Sequence, residues 1–129
     1  MTFFAASEFA CRCGRPECDA PKDCHRLLRL YLNRAREMLG APIVVTSGNR
    51  CAWHNAQVGG VAVSEHVDSE GCLGADLACT TSTARALLLD AIRHAGITRV
   101  VLYPRHVHVG IGDMLEPPRF PGHVVALGR

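Results

Sequence analysis

Arg99-Val100-Val101-Leu102-Tyr103-Pro104-Arg105-His106-Val107-His108-Val109 is the stretch that decides the architecture. Two runs rich in β-branched residues, Arg99–Tyr103 and His106–Val109, flank a Pro-Arg pair, which is the spacing of a tight hairpin. A strand turns alternate side chains to one face. His106 and His108 therefore project together, about 7 Å apart along the strand at about 3.4 Å per residue.

Working outward from the hairpin, Ser82 or Thr83 caps a helix that runs to about Ala95. Leu87, Leu88, Ala91, Ile92 and Ala95 share one face of it, and Gly96 ends it. Asp76–Cys79 reads as a short strand before this helix. Residues 47–75 form a long loop rich in Gly, Ser and His, with short helical possibilities only around Ala52–Gln57. A loop of this length in a small domain points to function. Ile43–Thr46, preceded by Pro42, reads as a buried strand. Asp23–Leu39 reads as a helix with Leu27, Leu28, Tyr31, Ala35, Met38 and Leu39 on one face, Asp23 as N-cap and Gly40 as C-cap. Residues 1–23, interrupted by Gly14, Pro16 and Pro21, read as an irregular cysteine-rich cap. Val124–Leu127 is a candidate edge strand. This order of elements predicts an α+β domain with a small antiparallel sheet flanked by helices.

Composition narrows the function. The chain has 129 residues, 48% hydrophobic and 20% charged, with a formal net charge of +2. That is one globular domain with enough apolar residues for a core, and neither a disordered chain nor a strongly basic nucleic-acid binder. One Trp, two Tyr and four Phe are too few and too dispersed for a base-stacking surface. No apolar run approaches the ~20 residues of a membrane helix, and Met1–Ala10 does not read as a secretory signal.

Seven cysteines forbid a complete set of internal disulfides. Cys11, Cys13, Cys18 and Cys24 crowd the N-terminus and could form a structural tetrathiolate zinc site. One or two disulfides formed after export, or unpaired thiols, are equally open readings. Cys51 lies three residues before His54, but no orienting third group supports a nucleophile there. Cys51 could instead pair with Cys72 across the loop.

His66 and Asp76 bracket a glycine-containing loop, and His106 and His108 follow on one strand face. Two imidazoles, one carboxylate and water in the fourth position compose a hydrolytic zinc site. Two histidines of one strand reach the same ion only awkwardly, so one binds metal while the other stands beside the open position. His25, His94 and His123 read as surface or internally satisfied residues.

Ser47-Gly48-Asn49-Arg50, His54-Asn55, Val58-Gly59-Gly60, Ser64-Glu65-His66, Gly74-Ala75-Asp76 and Tyr103–Val109 occur in one order. Together with the opening Ser7-Glu8-Phe9-Ala10-Cys11-Arg12-Cys13, this set resembles the zinc D-alanyl-D-alanine carboxypeptidase family, which includes phage endolysin peptidases. The resemblance covers most of residues 7–110. It implies a hedgehog-like fold, with residues 24–129 as the zinc peptidase-like domain beneath the 1–23 cap. It places the zinc ligands on His66, Asp76 and His108. It puts Arg50 near the metal, where a planar guanidinium suits a substrate carbonyl or carboxylate, and gives Ser64 a role in steadying the loop or touching substrate. Gly59 and Gly60 permit a turn that side chains would block.

Two departures stand out. Val67–Gly71 holds a small insertion carrying Asp68 and Glu70, so His66 and Asp76 lie farther apart than the family loop allows. Pro104 and Arg105 stand where many members place an acid as general base. His106 is then the candidate for proton transfer, with Glu65, Asp68 and Glu70 as runners-up. The expected activity is cell-wall-degrading hydrolysis of an amide bond in peptidoglycan stem peptides, as a carboxypeptidase or an endopeptidase, with one catalytic Zn2+ and a second, structural Zn2+ as an open reading. The alternative is a non-catalytic zinc-bearing module, for example a phage tail or virion component. The expected partner is a stem peptide, without nucleic acid or membrane insertion, and the expected state is a monomer. The chain would be made in the cytoplasm and act at the cell wall or periplasm if phage- or prophage-derived.

Overall fold

The computed structural model describes residues 3–61, 63–120 and 125–128. Its elements are α1 (Arg26–Leu39), β1 (Val45–Ser47), α2 (Ala52–Gln57), β2 (Gly74–Ala78), α3 (Ser82–Ala95), β3 (Arg99–Leu102), β4 (His106–Gly110) and β5 (Val125–Leu127). Short 3-10 turns lie at Ala6–Phe9 and Gly112–Met114. The strands form one sheet in the order β1-β2-β4-β3-β5. The first four pair antiparallel, and β5 joins the outer edge of β3 in parallel. This is the α+β architecture expected. His123 and Val124 lie outside the described residues.

The hairpin closes where the Pro-Arg pair predicts: the Tyr103 N–H donates to the His106 carbonyl at 3.0 Å. Period-two alternation then sorts the sheet into two faces. On one, Ala75 and Leu77 of β2 and Val107 and Val109 of β4 are fully buried. They share a core with Leu28, Leu32 and Ala35 of α1 and Leu88, Ile92 and Ala95 of α3, and the two helices pack on each other. The other face carries Asp76, His106 and His108. The register sets Asp76 directly opposite His108, and Gly74 opposite Gly110.

The helices differ in detail from their sequence reading. α1 starts at Arg26, and His25 rather than Asp23 caps it, its Nδ1 accepting from the Leu27 N–H at 3.0 Å. The Asp23 carboxylate is engaged by Arg29 and by the Cys24 N–H. The buried stripe is Leu28, Leu32 and Ala35, while Met38 is exposed. Thr81 caps α3 by accepting from the Ala84 N–H at 3.1 Å, and Gly96 ends it at φ +100°. Leu87 lies outside the buried face and is exposed. β1 starts two residues later than Ile43, and a register shift between Val45 and Ser47 brings Ser47 opposite Asp76.

The N-terminal segment packs into the same core through Phe4 and Phe9. Arg12 donates to the carbonyls of Thr46 and Val45, fastening the segment to β1. Asn49, almost fully buried, ties three segments together. Its Nδ2 donates to the carbonyls of Phe9 and Asp23, and its Oδ1 accepts from the Cys72 N–H at 2.7 Å. Gly48 beside it cannot carry a side chain, because a Cβ would stand 2.7 Å from the Phe9 Cα. Two residues of the Ser-Gly-Asn-Arg motif thus do structural work that aims the other two.

Candidate metal centre

Cross-strand pairing brings the first two candidate ligands together. Directly opposed residues on one face of an antiparallel pair are close neighbours, and His108 Nδ1 lies 3.1 Å from Asp76 Oδ1. His66 arrives from the long loop, with Nε2 3.2 Å from the same oxygen. One donor atom from each of His66, Asp76 and His108 falls within 4.8 Å of the others. Ligands at ~2.0–2.2 Å around a tetrahedral zinc ion lie about 3.4 Å apart. The donor set therefore fits zinc in both chemistry and spacing.

The remaining nitrogens fix the tautomers. The Nδ1 of His66 lies 2.7 Å from the Gly48 carbonyl, which holds a proton there and turns the Nε2 lone pair toward Asp76. The Nε2 of His108 lies 2.9 Å from Glu65 Oε1. Such partners orient metal-binding imidazoles and raise their basicity. Glu65 is itself buried, and its Oε2 accepts from Arg99 Nε at 3.0 Å and from the Gly112 N–H at 2.9 Å. Burial opposes ionisation of Glu65, but hydrogen bonds from His108 and Arg99 hold its carboxyl below the usual range. Asp76 is likewise penalised by burial, yet His108 and His66 hold it well below the usual carboxylate value. Burial opposes protonation of His108, and its hydrogen bonds to Asp76 and Glu65 win, raising its affinity for positive charge.

The segment Val67–Gly71 does not displace His66. The N–H groups of Leu73 and Gly74 both donate to the Glu65 carbonyl, so the loop closes at its base. The Ser64 Oγ accepts from the His66 N–H at 3.2 Å and steadies the same turn. Arg50 reaches the site through its Nη2, 3.1 Å from Asp76 Oδ2, while its Nε donates to Ser47 Oγ. His106 stands beside the donors, not among them: its Nε2 is 3.7 Å from Asp76 Oδ2, and its ring stacks on Tyr103 at 4.4 Å. Burial pushes its pKa below the ordinary histidine value, against the pull of Asp76. All these groups open onto one cleft of about 450 Å3, which Gly59, Gly60, Val61 and Val63 also line.

The candidate bases other than His106 are placed differently. Glu65 is committed to His108, Arg99 and Gly112. Asp68 pairs with Arg119, and neither it nor Glu70 lines the cleft. Glu65 as the group that orients His108 was not read from the sequence. Its signals are the glycines that make room for it, since a Cβ on Gly110 would stand 2.0 Å from Glu65 Oε1.

The four-cysteine set requires a correction. Cys11, Cys13 and Cys18 do converge, but their fourth neighbour is Cys51, and Cys24 is elsewhere. Cys24 immediately precedes the cap of α1 and is buried in the core beside the segment carrying Cys72. Cys51 and Cys72 are both free thiols. His54 meets Cys51 through its backbone N–H, as expected for a helix cap. His25 is a cap and His94 pairs with Asp90.

Gly74 offers a test of the geometry at a residue that is not itself a candidate ligand. Its Cβ would stand 2.7 Å from His108 Cε1 and 2.9 Å from both Glu65 Cβ and the Val109 carbonyl. Gly74→Ala is expected to tilt His108 and weaken zinc binding about 10- to 100-fold. Chelator competition reads the affinity, and unchanged binding would refute the placement of the ring.

No curated protein matches the sequence. A family model described as Peptidase M15 matches residues 2–111, a range that includes His66, Asp76, His108, Glu65, Arg50, His106 and the cysteine cluster. Among the described residues no helix is long and apolar enough to cross a membrane. M15 peptidases are zinc-dependent, the His66, Asp76 and His108 donors could bind such a metal, and the chain belongs to this family of metallopeptidases.

Proposed function

We propose that the protein hydrolyses an amide bond in peptidoglycan stem peptides, with His66, Asp76 and His108 holding the catalytic zinc. The observation that carries this reading is the convergence of those three donors on one wall of a cleft whose rim also presents Arg50 and His106. Zinc supplies Lewis-acid chemistry when bound, polarising the scissile carbonyl and making water nucleophilic at neutral pH.

The chain's own residues supply the rest. His106 faces the cleft with Nε2 next to the outer oxygen of Asp76. From there it accepts the proton of the attacking water and returns it to the leaving amine nitrogen. Stacking on Tyr103 limits the ring to one plane. Arg50, oriented by Ser47, Asn55 and Asp76, presents its remaining N–H groups to the oxyanion or to a substrate carboxylate. Val58, Val61 and Val63, all exposed at the cleft wall, offer apolar contact to small side chains of a stem peptide.

The only carboxylates lining the cleft among the described residues are Glu65 and Asp76, and both are engaged. That observation favours a second reading, a zinc-bearing module that binds without hydrolysis. Digestion of purified peptidoglycan separates the two. His106→Ala is expected to keep its zinc and lose about 10²–10⁴-fold in kcat. Wild-type protein that binds zinc but releases no product would establish the non-catalytic reading. A His106→Ala variant as active as wild type would remove His106 from the mechanism.

A further inference from the structure

The second convergence of ligands lies away from the cleft. Cys11, Cys13 and Cys18, half-buried in the N-terminal segment, meet the buried Cys51 at the start of α2, and one sulfur from each falls within 4.8 Å of the others. The Cys11 and Cys51 sulfurs are 3.9 Å apart. Four sulfurs at ~2.3 Å from a tetrahedral zinc ion are separated by about 3.8 Å, so this spacing is that of a tetrahedron edge.

The surroundings suit thiolates. The Arg15 N–H points to Cys13 Sγ, the Cys51 N–H to Cys11 Sγ and the His54 N–H to Cys51 Sγ, each at 3.4 Å. Backbone donors directed at three of the four sulfurs disperse the negative charge that a tetrathiolate retains after binding a divalent cation. Arg12 and Arg15 bracket Cys13. The first is fastened to β1 and the second lies over the Trp53 ring of α2 at 4.2 Å, so both ends of the cysteine loop are held against the domain.

We propose that Cys11, Cys13, Cys18 and Cys51 bind a second, structural zinc ion as a tetrathiolate. It cross-links the N-terminal segment to the loop that carries Arg50, the residue preceding Cys51. All-thiolate ligation selects a soft metal, and a closed set of four leaves no open position for hydrolysis. The site therefore secures the segment that positions Arg50 and takes no part in the chemistry.

Elemental analysis and cobalt substitution of the full chain test this. Wild type is expected to hold about two zinc ions, and His108→Ala and Cys13→Ser about one each. The cobalt-loaded wild type and His108→Ala should both show the sulfur-to-cobalt charge-transfer band of a thiolate site, and Cys13→Ser should lose it. This band reports the sulfur site alone, so the result stands whether or not the peptidase reading holds. If Cys13→Ser does not fold, the wild-type and His108→Ala spectra still decide. The proposal is overturned if cobalt-loaded His108→Ala lacks the band. It is also overturned if the denatured, unreduced chain shows fewer than seven reactive thiols, because the sulfurs would then be in disulfides.

Discussion

His108→Ala is expected to lose the catalytic zinc and to reduce hydrolysis to the limit of detection while leaving the chain folded. His108 is the ligand held from both sides, by Asp76 at Nδ1 and by Glu65 at Nε2. Without it, Asp76 and His66 remain as a two-donor site, below the three protein ligands of a hydrolytic zinc centre. The loss is also visible in stability. A ligand present at 100 times its Kd adds about 2.7 kcal/mol, which for a domain of this size moves Tm by about 10 °C. Added zinc should therefore raise the wild-type Tm by roughly this amount more than that of His108→Ala. The comparison between proteins, both with the cysteine cluster intact, cancels any contribution from that second site. Equal zinc-dependent shifts in the two proteins would show that His108 is not a ligand, whatever happens to activity.

The fold was legible where one side chain in two or in three to four had to be apolar. The hairpin, both long helices and the β-branched strands follow from those periods, and the joint between Tyr103 and His106 follows from Pro104-Arg105. The register was not legible. Nothing local states that Asp76 faces His108 instead of Ala78, yet that pairing is what makes two of the three donors adjacent. Cap choice was missed at α1 because Asp23 is a good N-cap by type but is taken up by Arg29 and the Cys24 N–H. The same local turn sends Cys24 inward, so nearness in sequence gave the wrong fourth cysteine. Cys51 meets the other three across tertiary contacts, among them Asn49 and Gly48 against Phe9, which spans about 40 residues. Glu65 was weighed as a base because a loop glutamate beside a ligand histidine reads as accessible. Its burial depends on Arg99 and Gly112, 34 and 47 residues away.

Glu65→Ala is expected to be the most destabilising single substitution at the site, and Glu65→Gln to divide its two effects. The carboxylate accepts from His108, Arg99 and Gly112, and its side chain is only 2% exposed. Removing one partner of a buried charged pair leaves the other uncompensated, at about 3–5 kcal/mol. Alanine also opens a cavity beside Gly74 and Gly110, whose missing side chains make the space that Glu65 fills. Glutamine keeps the volume, and with its oxygen in the place of Oε2 it still accepts from both Arg99 and Gly112. Its amide then faces His108 Nε2, so that one bond is replaced by a donor–donor contact. Glu65→Gln should fold with a smaller loss of stability and bind zinc about 10- to 100-fold more weakly, because His108 loses the partner that fixes its tautomer. Raising the zinc concentration should restore a large part of its activity. That rescue is the decisive measurement. If Glu65 were the general base, kcat would fall at saturating zinc with affinity and Tm unchanged, and added metal would restore nothing.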